Sequence, residues 1–170
     1  KNNVYSEDME HDACGVGLIA STEGKKSRNV VEYGIEALKA VWHRGAVDAD
    51  GKTGDGAGIH VEIPKDFFIE KIEVTGHTHD NSEICVGMIF LPRNDYAAQE
   101  SCKTIVESEL TKNDFNIYGW RQVPVNPKVL GEKAFQTMPE IIQVLFKPYN
   151  KELTNKDLER KIYETRRKIE

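Results

Sequence analysis

The chain has 170 residues, a net charge of −5 and a pI near 5.6, so it lacks the basic footprint of a nucleic-acid binder. Apolar residues make up 39%, roughly 47% with Gly counted, which suits one globular domain with a substantial core. No apolar run approaches the ~20 residues of a membrane span, and Lys1–Glu10 has no apolar stretch of a secretory signal. Three cysteines (Cys14, Cys85, Cys102) without CxxC spacing argue against a disulfide framework or zinc ribbon and fit a reducing cytoplasm.

Lys1–Ala13 reads as a polar leader rich in Asn, Asp and Glu, and Cys14–Ala20 as a first strand. A cysteine at the mouth of a strand beside Gly15 and Gly17 leaves room for a substrate to reach the sulfur. From this stretch alone a small buried residue opening a first strand is the better reading, since free cysteine is among the most buried types. Ser27 can cap a helix from about Arg28 to His43, with Val31, Ile35, Leu38 and Trp42 on one face. A glycine-rich stretch follows from Gly45 to Gly58. Strand Ile59–Ile63 then alternates Ile59, Val61 and Ile63 against His60 and Glu62, and Pro64 ends it.

Further on, the expected elements are a short helix over Lys65–Ile72, a polar loop over Thr75–Glu83 and a buried strand over Ile84–Leu91. A helix over Asp95–Leu110 should turn Ala98, Cys102, Ile105 and Val106 inward. Cys85 and Cys102 then read as core cysteines. A strand over Ile117–Val125, a helical turn over Val129–Gln136 and a strand over Ile141–Phe146 stopped by Pro148 come next. Thr154 should cap a final helix to Glu170 with Leu158, Ile162, Thr165 and Ile169 on one face. Its Arg166-Arg167-Lys168 cluster, mixed with glutamates, reads as a solvated face. Five strands and about four helices without strict βαβ alternation indicate a mixed or antiparallel α+β domain.

Three clusters invite chemistry. Arg44 sits at a helix C-terminus, where a cation satisfies the last carbonyls. Gly54, Gly56 and Gly58 lack the Lys-Ser/Thr of a P-loop and precede a strand, so nucleotide binding is rejected in favour of a tight turn. His77, His79 and Asp80 form an H-x-H-D cluster without a second ligand group, and surface histidines are the better reading. No Gly-x-Ser-x-Gly elbow is present to support a serine hydrolase.

Several motifs in order carry a resemblance. They are Glu10-His11-Asp12-Ala13-Cys14-Gly15-Val16-Gly17, then Glu36-Ala37-Leu38, His43-Arg44-Gly45-Ala46 and Thr53-Gly54-Asp55-Gly56-Ala57-Gly58-Ile59. Gly119-Trp120-Arg121, Val123-Pro124 and Pro139 through Gln143 continue the series. Together these resemble the opening of glutamate synthase large subunits, a class II, N-terminal-nucleophile glutamine amidotransferase domain. Another class II amidotransferase is disfavoured by the Thr53–Ile59 and Gly119–Pro124 stretches.

The resemblance implies an αββα sandwich of two antiparallel sheets, incomplete in this chain. It divides the chain into a leader, residues 1–13, and the N-terminal part of a glutaminase domain, residues 14–170. It implies cleavage of the Ala13–Cys14 bond, after which the Cys14 thiolate attacks L-glutamine with its own freed α-amine as base. An α-amine with a pKa of roughly 7.7–8.0 can exchange protons near neutral pH. Arg44 is implied as a support residue that favours thiolate. The family's Asn-Gly oxyanion pair and its Arg-Phe-Ser-Thr-like carboxylate motif occur nowhere in the 170 residues. Those substrate-binding groups are therefore expected beyond residue 170, and the chain alone is expected to be nearly inactive.

No cofactor or metal is expected within this chain. For the complete enzyme the resemblance implies FMN and an iron–sulfur cluster in other domains, with FAD and NADPH through a small subunit, or ferredoxin instead. The remainder of the large subunit is the expected partner. A chain that starts at Lys1 and ends in a helix fits one piece of such a polypeptide. A non-catalytic amidotransferase-like module is the rival reading, and the gene sequence downstream of residue 170 separates the two.

Overall fold

The computed structural model describes residues 15–41, 47–54 and 56–170. Cys14, Arg44, the leader and the expected end of the first helix at His43 lie outside the described residues. The elements in order are α1 (Arg28–Ala40), α2 (Lys65–Val74), β1 (Cys85–Leu91), α3 (Tyr96–Lys112), β2 (Phe115–Gln122), a 3-10 turn (Pro127–Val129), α4 (Glu132–Thr137), β3 (Glu140–Pro148) and α5 (Asn155–Ile169). The class is α+β, with one three-stranded antiparallel sheet among the described residues. Residues up to Val61 with Val129–Ala134 form one unit, and Glu62–Lys128 with Phe135–Glu170 form a second.

The second unit holds the sheet, in the order β1-β3-β2. The apolar β3 lies in the middle, with residues 142–146 all buried. Its alternation sends Val144 and Phe146 to one face and Leu145 to the other. On the first face they meet Cys85, Phe115, Val106 and Leu110 of α3, and Leu158 of α5. On the second, Leu145 meets Tyr118, Ile84, and Phe68 and Ile72 of α2. Helices α3 and α5 thus share one face, and α2 takes part of the other.

Local signals explain the helix starts. The Ser27 side chain accepts from the Asn29 amide, the Asp95 side chain from Ala98, and the Thr154 side chain from Asp157, as N-caps do. Helix α5 is held on the α3–β2 turn by Lys161 to Asp114 at 2.9 Å and by Lys168 Nζ donating to Asn113 Oδ1 at 2.6 Å.

Some expectations need correction. Residues 15–20 and 59–63 form no strand: Val16 is 94% and Leu18 88% exposed. Extended backbone counts as sheet only when a neighbour pairs with it, and no described residue does so. Three strands are therefore described where five were expected. Strand β3 runs through Pro148 rather than stopping before it, because there it faces only β2 (Phe115), and Tyr149 donates to the Asp114 carbonyl instead. Ile105 of α3 is 50% exposed, and Cys102 only half-buried. The inward stripe is Gln99, Val106 and Leu110, with Gln99 Nε2 donating to the Pro92 and Arg93 carbonyls. That polar anchor rotates the stripe away from Ile105.

Strand β2 carries a bulge. Ile117 pairs with Phe146 and Gly119 with Leu145, which leaves Tyr118 as the extra residue. The bulge returns Trp120 to the face of Phe115 and Ile117, where its indole N–H donates to Glu107 of α3 at 2.6 Å. Gly119 has φ +147, and a Cβ there would stand 3.0 Å from Thr75 Cγ2. Gly119→Ala is therefore expected to cost about 1–3 kcal/mol, read as a lower urea midpoint at unchanged slope. An unchanged midpoint would mean the bulge relaxes freely.

Candidate functional site

The described flanks of Cys14 and Arg44 come together. Gly15 follows Cys14, and Val41 lies three residues before Arg44. A Cβ built on Gly15 would meet Val41 Cβ and Cγ2 at 3.8 Å, ordinary van der Waals contact. Val41 caps α1, and its amide donates to the Ala37 and Lys39 carbonyls. So α1 ends beside the backbone that leaves the cysteine. The stripe on α1 is half-buried rather than buried, with Val31, Ile35 and Leu38 all intermediate.

After Arg44 the chain enters a hydrogen-bonded turn. Val47 and Gly54 form an antiparallel bridge, and the Asp48 amide donates to the Thr53 carbonyl at 2.7 Å. Asp50 Oδ1 accepts from the Lys52 and Thr53 amides at 2.9 and 2.7 Å, while Thr53 Oγ1 donates to Asp50 Oδ2 at 2.5 Å. The Thr53 hydroxyl above all, then these amides, hold the Asp50 carboxyl well below the usual carboxylate range. Lys133 Nζ meets Asp48 Oδ2 at 2.6 Å. Gly131 closes over the turn: a Cβ there would fall 2.2 Å from Asp50 Oδ2 and 2.6 Å from the Thr53 amide nitrogen. Only glycine fits. Nothing in the sequence near Leu130-Gly131-Glu132 marks this clamp, because it depends on contact across some eighty residues. The turn and clamp hold the start of the Thr53–Ile59 motif in one shape.

The H-x-H-D cluster is a structural staple. Asp80 Oδ2 sits 2.8 Å from both Lys147 and Lys151, and Asp80 Oδ1 accepts from the Ser82 hydroxyl at 2.6 Å. Lys147 first, then Lys151, hold Asp80 far below the usual carboxylate range. His77 Nδ1 is 3.0 Å from Thr75 Oγ1, and His79 Nδ1 is 3.5 Å from the Tyr118 hydroxyl. The cluster ties the loop before β1 to the end of β3. His79 is half-buried rather than on the surface, since the bulge turns Tyr118 toward it.

The remaining thiols are poorly placed for chemistry. Cys85 is 5% exposed in the core, and burial, with Glu83 and Glu159 nearby, pushes its thiol up to about 12. A cleft of about 520 Å³ lies between Leu91–Asp95 and Gln136–Pro139, and another of about 490 Å³ runs beside β1 and α5. Neither is lined by a described residue singled out for chemistry. No described helix is long and apolar enough to cross a membrane.

A cysteine after the polar run Lys1–Ala13, glycines beside it, and a helix leading to His43-Arg44-Gly45-Ala46 and a clamped glycine turn agree with one class. The family Glutamine amidotransferases class-II matches residues 14–170, and the chain belongs to it. Among relatives, the glutamate synthase [NADPH] large chain of Azospirillum brasilense is 55% identical over 168 residues, covering 99% of this chain and 11% of its own length. The ferredoxin-dependent glutamate synthase 1, chloroplastic/mitochondrial, of Arabidopsis thaliana is 41% identical over 162 residues, covering 95% of this chain and 10% of its own. The spinach (Spinacia oleracea) ferredoxin-dependent enzyme is 38% identical over 170 residues, 98% of this chain and 10% of its own. The chain therefore spans about a tenth of the length of these relatives.

Proposed function

We propose that the chain is the opening part of the glutaminase region of a glutamate synthase large chain, releasing ammonia from L-glutamine for transfer to 2-oxoglutarate. One observation supports the reading most: the family match opens at Cys14, with the thirteen residues Lys1–Ala13 outside it, as expected if they are a leader that is removed. The Gly15–Val41 contact supports placing Arg44 near the cysteine.

On this reading cleavage of Ala13–Cys14 turns an amide nitrogen into an amine. That amine takes the thiol proton, and the thiolate attacks the side-chain amide carbon of glutamine. The amine returns the proton to the leaving nitrogen, ammonia departs, and a glutamyl thioester remains. Water, deprotonated by the same amine, releases glutamate. Gly15 leaves the approach open, and Arg44 favours the thiolate. The oxyanion and carboxylate-binding groups lie beyond residue 170, so the 170-residue chain by itself is inactive. The complete domain is an αββα sandwich of two antiparallel sheets, of which the described residues form one three-stranded antiparallel sheet.

The enzyme is cytoplasmic. Electrons come from NADPH, through FAD on a small subunit, or from ferredoxin; FMN and an iron–sulfur cluster sit in other domains. An iron–sulfur cluster needs converging thiolates. The described residues do not fit one: Cys85 is locked in the core, and no three His, Cys, Asp or Glu side chains converge among them.

The test is the intact mass of the purified full-length protein with N-terminal sequencing. A chain beginning at Cys14 is expected. A chain that keeps Lys1–Ala13 yet hydrolyses glutamine would overturn the α-amine as base.

A further inference from the structure

Neighbouring antiparallel strands need only a short connection, about 2–5 residues in most hairpins. The β2–β3 connection instead runs through residues 123–139, between Gln122 and Glu140. Its middle, Val129–Ala134, leaves the sheet unit and joins the unit formed by residues up to Val61. There Gly131 is buried, and it is the only fully buried residue among the described residues of that unit. Helix α1 buries none of its side chains. In place of a buried apolar side chain, these residues have a polar clamp, the Gly131 backbone set against Asp50 and Thr53.

Asp50 is the hub of the clamp. Its carboxylate accepts from its own turn, through the Lys52 and Thr53 amides and the Thr53 hydroxyl, and from the far segment, through the Glu132 amide. Lys133 adds an ion pair to Asp48 in the same turn. The lysine side chain is 65% exposed, so solvent screening leaves that pair little energy by itself. The hydrogen bonds to Asp50 and the close approach of Gly131 therefore do most to fix the turn. Through the Val47–Gly54 bridge they also fix Val47.

Val47 is one end of a short span. Arg44 stands in sequence midway between Val41 and Val47. At the upstream end, the Val41 side chain lies 3.8 Å from where a Cβ on Gly15 would stand, and Gly15 follows Cys14. At the downstream end, Val47 is held by the clamped turn. Holding both ends removes conformational freedom worth ~1–2 kcal/mol for each residue fixed. Releasing one end restores it, and a displacement of ~1 Å near a reacting centre can cost on the order of 10²-fold in rate.

We propose that Gly131, acting through Asp50 and Thr53, is a positioning residue for the glutaminase reaction: it locks the Asp48–Thr53 turn and so holds the downstream end of the span that carries Arg44. This assignment rests on the glutaminase reading and adds to it a residue from the β2–β3 connection.

The experiment is the kinetics of Gly131→Ala in the full-length protein, with glutamine-dependent and ammonia-dependent glutamate formation measured side by side. The added Cβ pushes on Asp50 and on the Thr53 amide. Glutamine-dependent kcat and kcat/KM should fall together by a factor on the order of 10², while ammonia-dependent formation is unchanged. In an Arg44→Ala background the same substitution should cost nothing further, because its effect runs through Arg44. An unchanged kcat, a rise in KM alone, an equal loss with ammonia, or a full additional loss on top of Arg44→Ala each overturn the assignment. Should Gly131→Ala fail to fold, Thr53→Val removes the hydroxyl bond to Asp50 and should give the same pattern, with Thr53→Ser restoring turnover. A serine variant as slow as the valine one overturns it. Glutamine use that survives Cys14→Ala overturns the underlying reading together with this assignment. A normal kcat for Gly131→Ala in a Cys14-dependent enzyme overturns the assignment alone.

Discussion

Replacing Cys14 with alanine in the full-length protein should lower glutamine-dependent glutamate formation by a factor on the order of 10⁴ or more, the scale seen when a covalent nucleophile is deleted. Glutamate formation from added ammonia should survive, because ammonia enters after the glutaminase step. No other described thiol is suited to take over. Cys85 is buried with its thiol pushed up to about 12, so almost none is thiolate at neutral pH. Cys102 is half-buried on α3, and neither residue can become a chain terminus that supplies its own amine base. The paired assay separates a lost nucleophile from a lost fold, since an unfolded enzyme would lose both activities. Retained glutamine use in the alanine variant would remove Cys14 from the mechanism.

The largest expected stability effect lies at Leu145, at the centre of β3 and 0% exposed. It packs with Phe68 and Ile72 of α2 and with Ile84 and Tyr118. Leu145→Ala removes buried methyl groups and leaves a cavity whose walls belong to three different elements, which limits collapse. The expected loss is about 2–5 kcal/mol. Urea unfolding followed by tryptophan fluorescence would report it, because Trp120 lies on β2 beside β3. As a control, Val74→Ala, at a side chain 83% exposed, should stay within about 0.5 kcal/mol. A loss at Leu145 no larger than the control would mean that the α2 face contributes little to the fold.

How legible each element was in the sequence depends on the kind of signal it carries. Helices α1, α3 and α5 were legible because each cap is a local event: Ser27, Asp95 and Thr154 bond to amides two or three residues away. Strands β1 and β3 were legible as apolar runs between prolines and polar loops. The glutaminase reading was likewise carried by short motifs around Cys14, Arg44 and Thr53–Ile59, whose chemistry depends on residue type and spacing. The alternating stretch Ile59–Ile63 misled because periodicity reports which faces are apolar and says nothing about a pairing partner.

From sequence alone came the amidotransferase resemblance, the nucleophile candidate, the helix starts and the apolar strands, all consequences of neighbours along the chain. Tertiary structure decided the rest. It set the order β1-β3-β2, the bulge that turns Tyr118 and Trp120 to opposite faces, the Gly131 clamp on the Asp50–Thr53 turn, and the lysines that hold Asp80. Each of these joins residues far apart in the chain, and the free energy of such a contact exists only once the fold has brought its two halves together.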